Sequence, residues 1–282
     1  MTGHGQPVVL IPGLFGSRFG FRHVVPLLAG AGYRVIVIEP LGIGSSARPE
    51  NGDYSLTAQA DRIAAVLDTL AVRDAVIVAH SLGASMAYRL AYRRPELVHA
   101  IVSLEGGPAE AAATPSFRRA MRFAPWIKWF GGIRRIRKAI RNGLVAASGD
   151  TTWVTDSVVD GYTAGAAANL DGTLKAFLRM AEANEREQLA PHLGAIRCPV
   201  RLLLGTAAHQ GGVPQKALDE LRAGLPSLAI DSVPGSGHYI HEERPQAILT
   251  AVVASAPPLP VASGRSESPA ARTPATPSAA PR

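Results

Sequence analysis

Residues 75–83 read Ala75-Val76-Ile77-Val78-Ala79-His80-Ser81-Leu82-Gly83, an apolar run that ends on a serine and opens into helical spacing over Ala84 to Arg93. A strand that turns directly into a helix leaves the residue at the turn exposed. A serine hydroxyl in that position becomes a nucleophile when a base lies beside it and amide donors face it. Ala79 and Gly83, two positions either side of Ser81, are small enough for the helix to fold back on the strand. Glycine is usual at both places, so Ala79 is a mild departure. The plainer role for Ser81 is that of a helix N-cap.

Outward from this turn, Val8 to Ile11, Val35 to Glu39, Ala100 to Glu105, Val200 to Gly205 and Ala229 to Val233 are further short aliphatic runs. Segments with apolar spacing of three and four separate most of them, at Phe21 to Ala31, Thr57 to Leu70 and Ala84 to Arg93. Strands alternating with helices predict an α/β fold with a mostly parallel central sheet and helices on both faces. A closing helix is expected from about Pro245 to Ser255. Residues 1–106 and 193–255 would form the core. Residues 107–192 break the rhythm with helical segments alone, including Thr155 to Ala168 and Leu174 to Glu187, and predict an all-helical cap. Residues 256–282 turn to Pro, Ala, Ser and Thr without apolar periodicity and are expected to form a disordered tail.

The chain of 282 residues suits one large catalytic domain. Cys198 is its single cysteine, so no intrachain disulfide forms, and with no apolar signal segment the expected compartment is the cytoplasm. No apolar run reaches membrane-spanning length. The formal net charge of +7 is local: Arg118, Arg119, Arg122, Lys128, Arg134, Arg135, Arg137, Lys138 and Arg141 fall between Ala111 and Gly149 with no acidic residue among them. These nine charges leave the rest of the chain at −2, which argues for one basic segment and against a generally basic, nucleic-acid-binding protein.

Three further motifs accompany the serine turn in order: Pro12-Gly13-Leu14, Glu39-Pro40-Leu41-Gly42-Ile43-Gly44-Ser45-Ser46, and Gly237-His238-Tyr239-Ile240-His241-Glu242-Glu243-Arg244-Pro245. Over roughly residues 6 to 255 the set resembles the α/β-hydrolase superfamily, in the manner of a capped serine esterase or lipase. The resemblance implies acyl transfer through a covalent acyl-enzyme. Ser81 would attack a carbonyl, His238 would remove and later return the proton, and the backbone amides of Leu14 and Leu82 would form the oxyanion hole. It also implies that the strands usual before the Pro7-Val8 strand are lacking, which would leave Tyr33 to Glu39 at a sheet edge. An uncovered edge of that hydrophobicity invites pairing, and so a homodimer.

The acid departs from the pattern. Family members usually place an aspartate three residues after the glycine that ends the penultimate strand, and in Gly205-Thr206-Ala207-Ala208 that residue is alanine. Glu105, at the end of the strand after the nucleophile helix, is the replacement expected, since neighbouring strands point their C-terminal ends at one crevice. Its location resembles that of haloalkane dehalogenases, which use an aspartate nucleophile, so the likeness concerns the acid alone. The other reading of Glu105 is a residue closing the turn before Gly106-Gly107.

Within the basic segment, Ile133, Ile136, Ile140 and Leu144 keep helical spacing while the cations largely take other faces, as in an amphipathic helix. Pro125-Trp126-Ile127-Lys128-Trp129-Phe130 precedes it. Phe15, Trp126, Trp129 and Phe130 are the expected substrate-binding aromatics. The segment suits an acyl chain entering a cap, an anionic substrate such as a coenzyme A thioester, or a peripheral membrane contact, with charges that simply face water as the alternative. The function expected is hydrolysis of a carboxylic ester, lactone or thioester with no metal or cofactor. Two alternatives stay open, a non-hydrolytic binding protein of the same fold and a carbon-carbon hydrolase or perhydrolase using the same residues.

Overall fold

The computed structural model describes residues 1–113, 118–119 and 132–257. Six strands form one parallel sheet in the order β2-β1-β3-β4-β5-β6. They are β1 (Pro7–Ile11), β2 (Arg34–Val37), β3 (Ala75–His80), β4 (Val98–Leu104), β5 (Val200–Gly205) and β6 (Leu228–Val233). The order reverses at β1, which has β2 on one side and β3 on the other. In open parallel sheets the crevice outside the strand ends at such a reversal is where ligands bind. Both Pro12-Gly13-Leu14, after β1, and Ser81, after β3, therefore stand at that crevice.

Successive strand residues point to opposite faces, and the core divides accordingly. Val9, Ile11, Ile77, Ala79 and Ile101 pack on one face with residues of α2 (Leu56–Thr69) and α3 (Leu82–Arg93). Val8, Leu10, Val76, Val78 and Val102 pack on the other with residues of α1 (Val24–Gly30) and a C-terminal helix, Pro245–Ser255. Helices thus cover both faces, as the sequence predicts. β2 lies at the edge, and its edge is partly covered, because Thr2 bridges Val35 in antiparallel fashion with bonds of 3.0 and 2.8 Å.

Between β4 and β5 the described elements are helical: α4 (Gly132–Ala146), α5 (Asp156–Ala168), α6 (Leu170–Glu182) and a 3-10 turn at Ala190–Ala195. Ion pairs from Arg137 to Asp160 and from Arg141 to Asp156 join α4 to α5. α6 begins and ends earlier than its apolar pattern predicts. Asn169 caps its start by accepting from the Gly172 amide at 2.8 Å. Beyond its end, Glu185 leaves the helix and accepts the Leu56 and Thr57 amides at the start of α2, where a carboxylate is stabilised by the helix dipole.

After β5 the chain forms α7 (Gln215–Gly224), which the strand-and-helix reading passes over, then β6, the short α8 (Ile240–Glu243) and α9 (Pro245–Ser255). Among the described residues no helix is long and apolar enough to cross a membrane. Residues 258–282, most of the expected tail, lie outside the described residues, as do Trp126, Trp129 and Phe130.

Candidate active site

Ser81 joins β3 to α3 with φ 51° and ψ −120°, a left-handed conformation that side-chain-bearing residues rarely adopt. Only four non-glycine residues among those described have positive φ, and Ser81 and Glu105 are two of them. Such strain persists where the surroundings hold it, and it gathers at functional sites. The turn is held by the Ser81 amide donating to Leu104 O at 2.9 Å, and by Gly83, where an added Cβ would lie 2.8 Å from Ile11 O. Ser81 stands at the N-cap position of α3 yet its side chain makes no capping bond, unlike Ser55 and Thr155, which cap α2 and α5. The plainer reading of Ser81 as a cap therefore fails, and its hydroxyl makes no hydrogen bond among the described residues.

His238 sits in the loop after β6, and that loop is braced from three sides. Its amide donates to Ala147 O at 2.8 Å, at the C-terminal end of α4. Buried Glu243 accepts the amides of Gly237, Gly149 and Asp150 at 3.0, 2.9 and 2.8 Å. An added Cβ at Gly237 would lie 2.6 Å from Ala147 O, so this approach requires glycine. From the third side, His80 Nε2 lies 3.0 Å from His238 O and donates to it. His80 thus couples the residue before Ser81 to the backbone of His238. Their rings stand 4.6 Å apart. Burial, and to a smaller extent His209, lowers the His238 pKa to about 4, which keeps its imidazole neutral and able to accept a proton.

Glu105 follows β4 directly, with φ 48° and a buried carboxylate. Its Oε1 accepts the Gly205 amide at 2.5 Å, and its Oε2 is 3.5 Å from His209 Nε2. Burial raises its pKa, opposed by the Gly205 bond and by His209. Glu105, His209 and His238 each bring one ligating atom within 4.8 Å of the others. The structure thus brings the expected acid and base together, but Glu105 is engaged by Gly205, His209 and the Val213 backbone, and His238 Nδ1 is buried without a hydrogen-bond partner among the described residues. His209, four residues after Gly205, fills space near the position where the resemblance looked for an aspartate.

The Gly13 backbone abuts the nucleophile turn, since an added Cβ there would lie 3.1 Å from Ser81 Cβ. Leu14 follows it, and Leu82 opens α3, where the first amides have no partner within the helix. Beside this loop a cavity of about 310 Å³ is lined by Leu14, Phe15, Ile140, Leu174, Phe177 and Tyr239 among others. Phe15, on the cavity wall, meets Phe177 edge to face at 5.5 Å. Ile136, Ile140 and Leu144 of α4 face the same space, whereas Arg134, Arg135 and Lys138 are exposed. Among the described residues the one cation on the wall, Arg48, donates to the carbonyls of Gly44 and Ser46. Glu39 knits the neighbouring loop by accepting the Ser45 hydroxyl at 2.6 Å and the Arg18 amide at 2.8 Å.

A second buried cluster was not evident from the sequence. Tyr162, on α5 and on the cavity wall, donates to Glu242 Oε1 at 2.8 Å, and Arg22 donates to the same oxygen at 2.6 Å. His241 Nε2 lies 3.3 Å from the Tyr162 hydroxyl, and burial lowers its pKa to about 3. The Gly-His-Tyr-Ile-His spacing was the only trace of it, because Tyr162 and Arg22 arrive from distant segments.

A family model described as alpha/beta hydrolase fold matches residues 6–245. An uncharacterized hydrolase of Bacillus subtilis, YugF, is 27% identical over 246 residues, covering 86% of this chain and 87% of its own. The sn-1-specific diacylglycerol lipase ABHD11 of Mus musculus is 28% identical over 256 residues, 87% of this chain and 79% of its own. Among solved structures, the epoxide hydrolase CorEH superposes with a TM-score of 0.76 at 19% identity, over 90% of this chain and 92% of its own, a likeness of fold alone.

Proposed function

The chain belongs to the α/β-hydrolase fold family, and from that premise we propose that it is a serine hydrolase that cleaves a carboxylic ester, lactone or thioester with an apolar acyl part. The observation that carries this reading is the Ser81 hydroxyl, without a hydrogen bond among the described residues, on its strained turn. The similarity to a lipase and to an epoxide hydrolase frames the choice of reaction, and the nucleophile's chemistry favours one side. A serine that opened an epoxide would be left as an alkyl ether, which water does not cleave. A serine that attacks a carboxylic carbonyl forms an ester, which water does cleave.

In the proposed cycle Ser81 Oγ bonds to the carbonyl carbon as its proton passes to His238 Nε2. Charge on the carbonyl oxygen is met by the Leu14 and Leu82 amides, each such donor being typically worth about 3 kcal/mol. The tetrahedral intermediate collapses, the leaving alcohol or thiol takes the proton from His238, and the acyl group remains on Ser81. Water, deprotonated by His238, then releases the acid and restores the hydroxyl. Glu105 is the orienting acid in this reading. Its carboxylate shares a 4.8 Å cluster with a His238 nitrogen, close enough for this role to need only a local side-chain adjustment.

α4, α5 and α6 act as the cap. The apolar face of α4 and the walls from Leu174 and Phe177 leave a space of about 310 Å³, at the small end of ligand pockets, for the acyl part. The test is turnover of p-nitrophenyl esters of increasing chain length by the wild type and Ser81→Ala. Hydrolysis with a chain-length optimum, lost in Ser81→Ala by at least about 1,000-fold, is expected. Folded wild-type protein without turnover on any ester, lactone or thioester would instead favour a binding protein of the same fold.

A further inference from the structure

We infer that Glu105, His209 and His238 form a binding site for one Zn²⁺ ion whose occupancy switches the hydrolase off. The donor set is one carboxylate oxygen and two imidazole nitrogens, with ligating atoms within 4.8 Å of one another. Nitrogen and oxygen donors of this kind suit Zn²⁺, whereas Mg²⁺ and Ca²⁺ take oxygen ligands throughout. In a tetrahedral site with bonds of about 2.0–2.1 Å the ligand atoms stand about 3.3–3.4 Å apart. His209 Nε2 and Glu105 Oε2, 3.5 Å apart, are already near that spacing. His238 needs a further movement of at most about 1.4 Å to reach that spacing.

Two of the three ligands are orphaned in a way that points to a ligand. His209 Nε2 and His238 Nδ1 are both buried and make no hydrogen bond among the described residues, a costly arrangement unless something supplies the partner. The contact between His209 Nε2 and Glu105 is close enough for attraction without being a hydrogen bond. The surrounding bonds are those expected around a metal. His209 Nδ1 donates to Ala207 O at 2.7 Å, which leaves Nε2 as the ring nitrogen facing Glu105. Metal-bound histidines usually donate their second nitrogen to a carbonyl in this way, and ligating carboxylates are themselves hydrogen-bonded, as Glu105 Oε1 is to the Gly205 amide at 2.5 Å. Space is left by two glycines. An added Cβ at Gly211 would lie 3.5 Å from His238 Nδ1, and one at Gly212 would lie 3.1 Å from His209 Nε2 and 3.7 Å from Glu105 Oε2.

The consequence for activity rests on the serine-hydrolase reading. A metal on His238 Nδ1 places the ring proton on Nε2, the nitrogen that must be bare to receive the Ser81 proton. It also occupies Glu105. Binding would therefore be reversible and inhibitory, and a chelator would restore turnover.

The experiment uses the full chain without a histidine tag. Zn²⁺ is titrated by calorimetry and Co²⁺ by its visible absorption, alongside ester turnover with and without Zn²⁺. One ion per chain, a tetrahedral Co²⁺ spectrum, and binding weakened at least about tenfold in His209→Ala and in His209→Gln are expected. Turnover of each variant, compared with and without Zn²⁺, should be less sensitive to the metal than that of the wild type. Should one variant misfold by circular dichroism, the other carries the turnover comparison, and Glu105→Gln supports the binding comparison alone. No binding, or binding undiminished in the folded variants, overturns the site. Metal binding that depends on His209 in a protein without esterase activity would leave the site standing and overturn the hydrolase reading instead.

Discussion

At the residue scale the site is a contest for one carboxylate. Glu105 holds the Gly205 amide through Oε1 and faces His209 through Oε2, while His238 Nδ1 has no hydrogen-bond partner among the described residues. Glu105→Gln keeps an oxygen for the Gly205 amide and removes the charge that would stabilise a His238 imidazolium. Turnover of the best ester should then fall by about 10³–10⁴-fold with KM little changed, by analogy with amide replacement of a triad carboxylate. Unchanged kcat would remove Glu105 from the mechanism. Ser81, His238 and Glu105 were legible in the sequence because each follows a strand, and strand ends converge. The roles of His80 and His209 were not, since they depend on how rings from separate loops meet.

At the scale of elements, one buried cation ties the inserted helices to the core. Arg89, on α3 and fully buried, donates to Glu110 Oε2 at 3.2 Å and to Ala109 O at 3.1 Å, and lies 3.9 Å from Glu185. Glu110 stands where the chain leaves the core for the inserted helices, and Glu185 where it returns. Each also accepts backbone amides, Leu189 and Ala190 just before the chain re-enters the core in one case, Leu56 and Thr57 of the core in the other. Arg89→Met keeps the packing volume and removes the cation beside Glu185, whose side chain is 6% exposed and would keep only its bonds from Leu56 and Thr57. Loss of one partner from a buried ion pair costs about 3–5 kcal/mol, so a marked fall in the denaturant midpoint is expected. A midpoint within error of the wild type would mean that the latch carries no stability. Most elements were legible from spacing, α7 being the exception, but the latch was not: a charged residue amid helical spacing reads as a solvent-facing position, and the packing of α2 against α3 encloses it.

At the scale of the whole molecule the account is one of convergence. The reversal of strand order at β1 sets a crevice, the loops after β1, β3, β4, β5 and β6 meet at it, and α4 to α6 stand beside a largely apolar cavity there. The strand-helix alternation made this architecture readable, because a parallel sheet admits few connections. The contribution of α4 to the cavity was readable in part, from the spacing of Ile136, Ile140 and Leu144, while Trp126, Trp129 and Phe130 lie outside the described residues. Everything rests on Ser81 being a reactive nucleophile. Treatment of the native full chain with a fluorophosphonate, followed by peptide mass spectrometry, reads this directly. A single adduct on Ser81, absent in Ser81→Ala and in heat-denatured wild type, is expected; a folded wild type that stays unlabelled, or is labelled equally in Ser81→Ala, would contradict it.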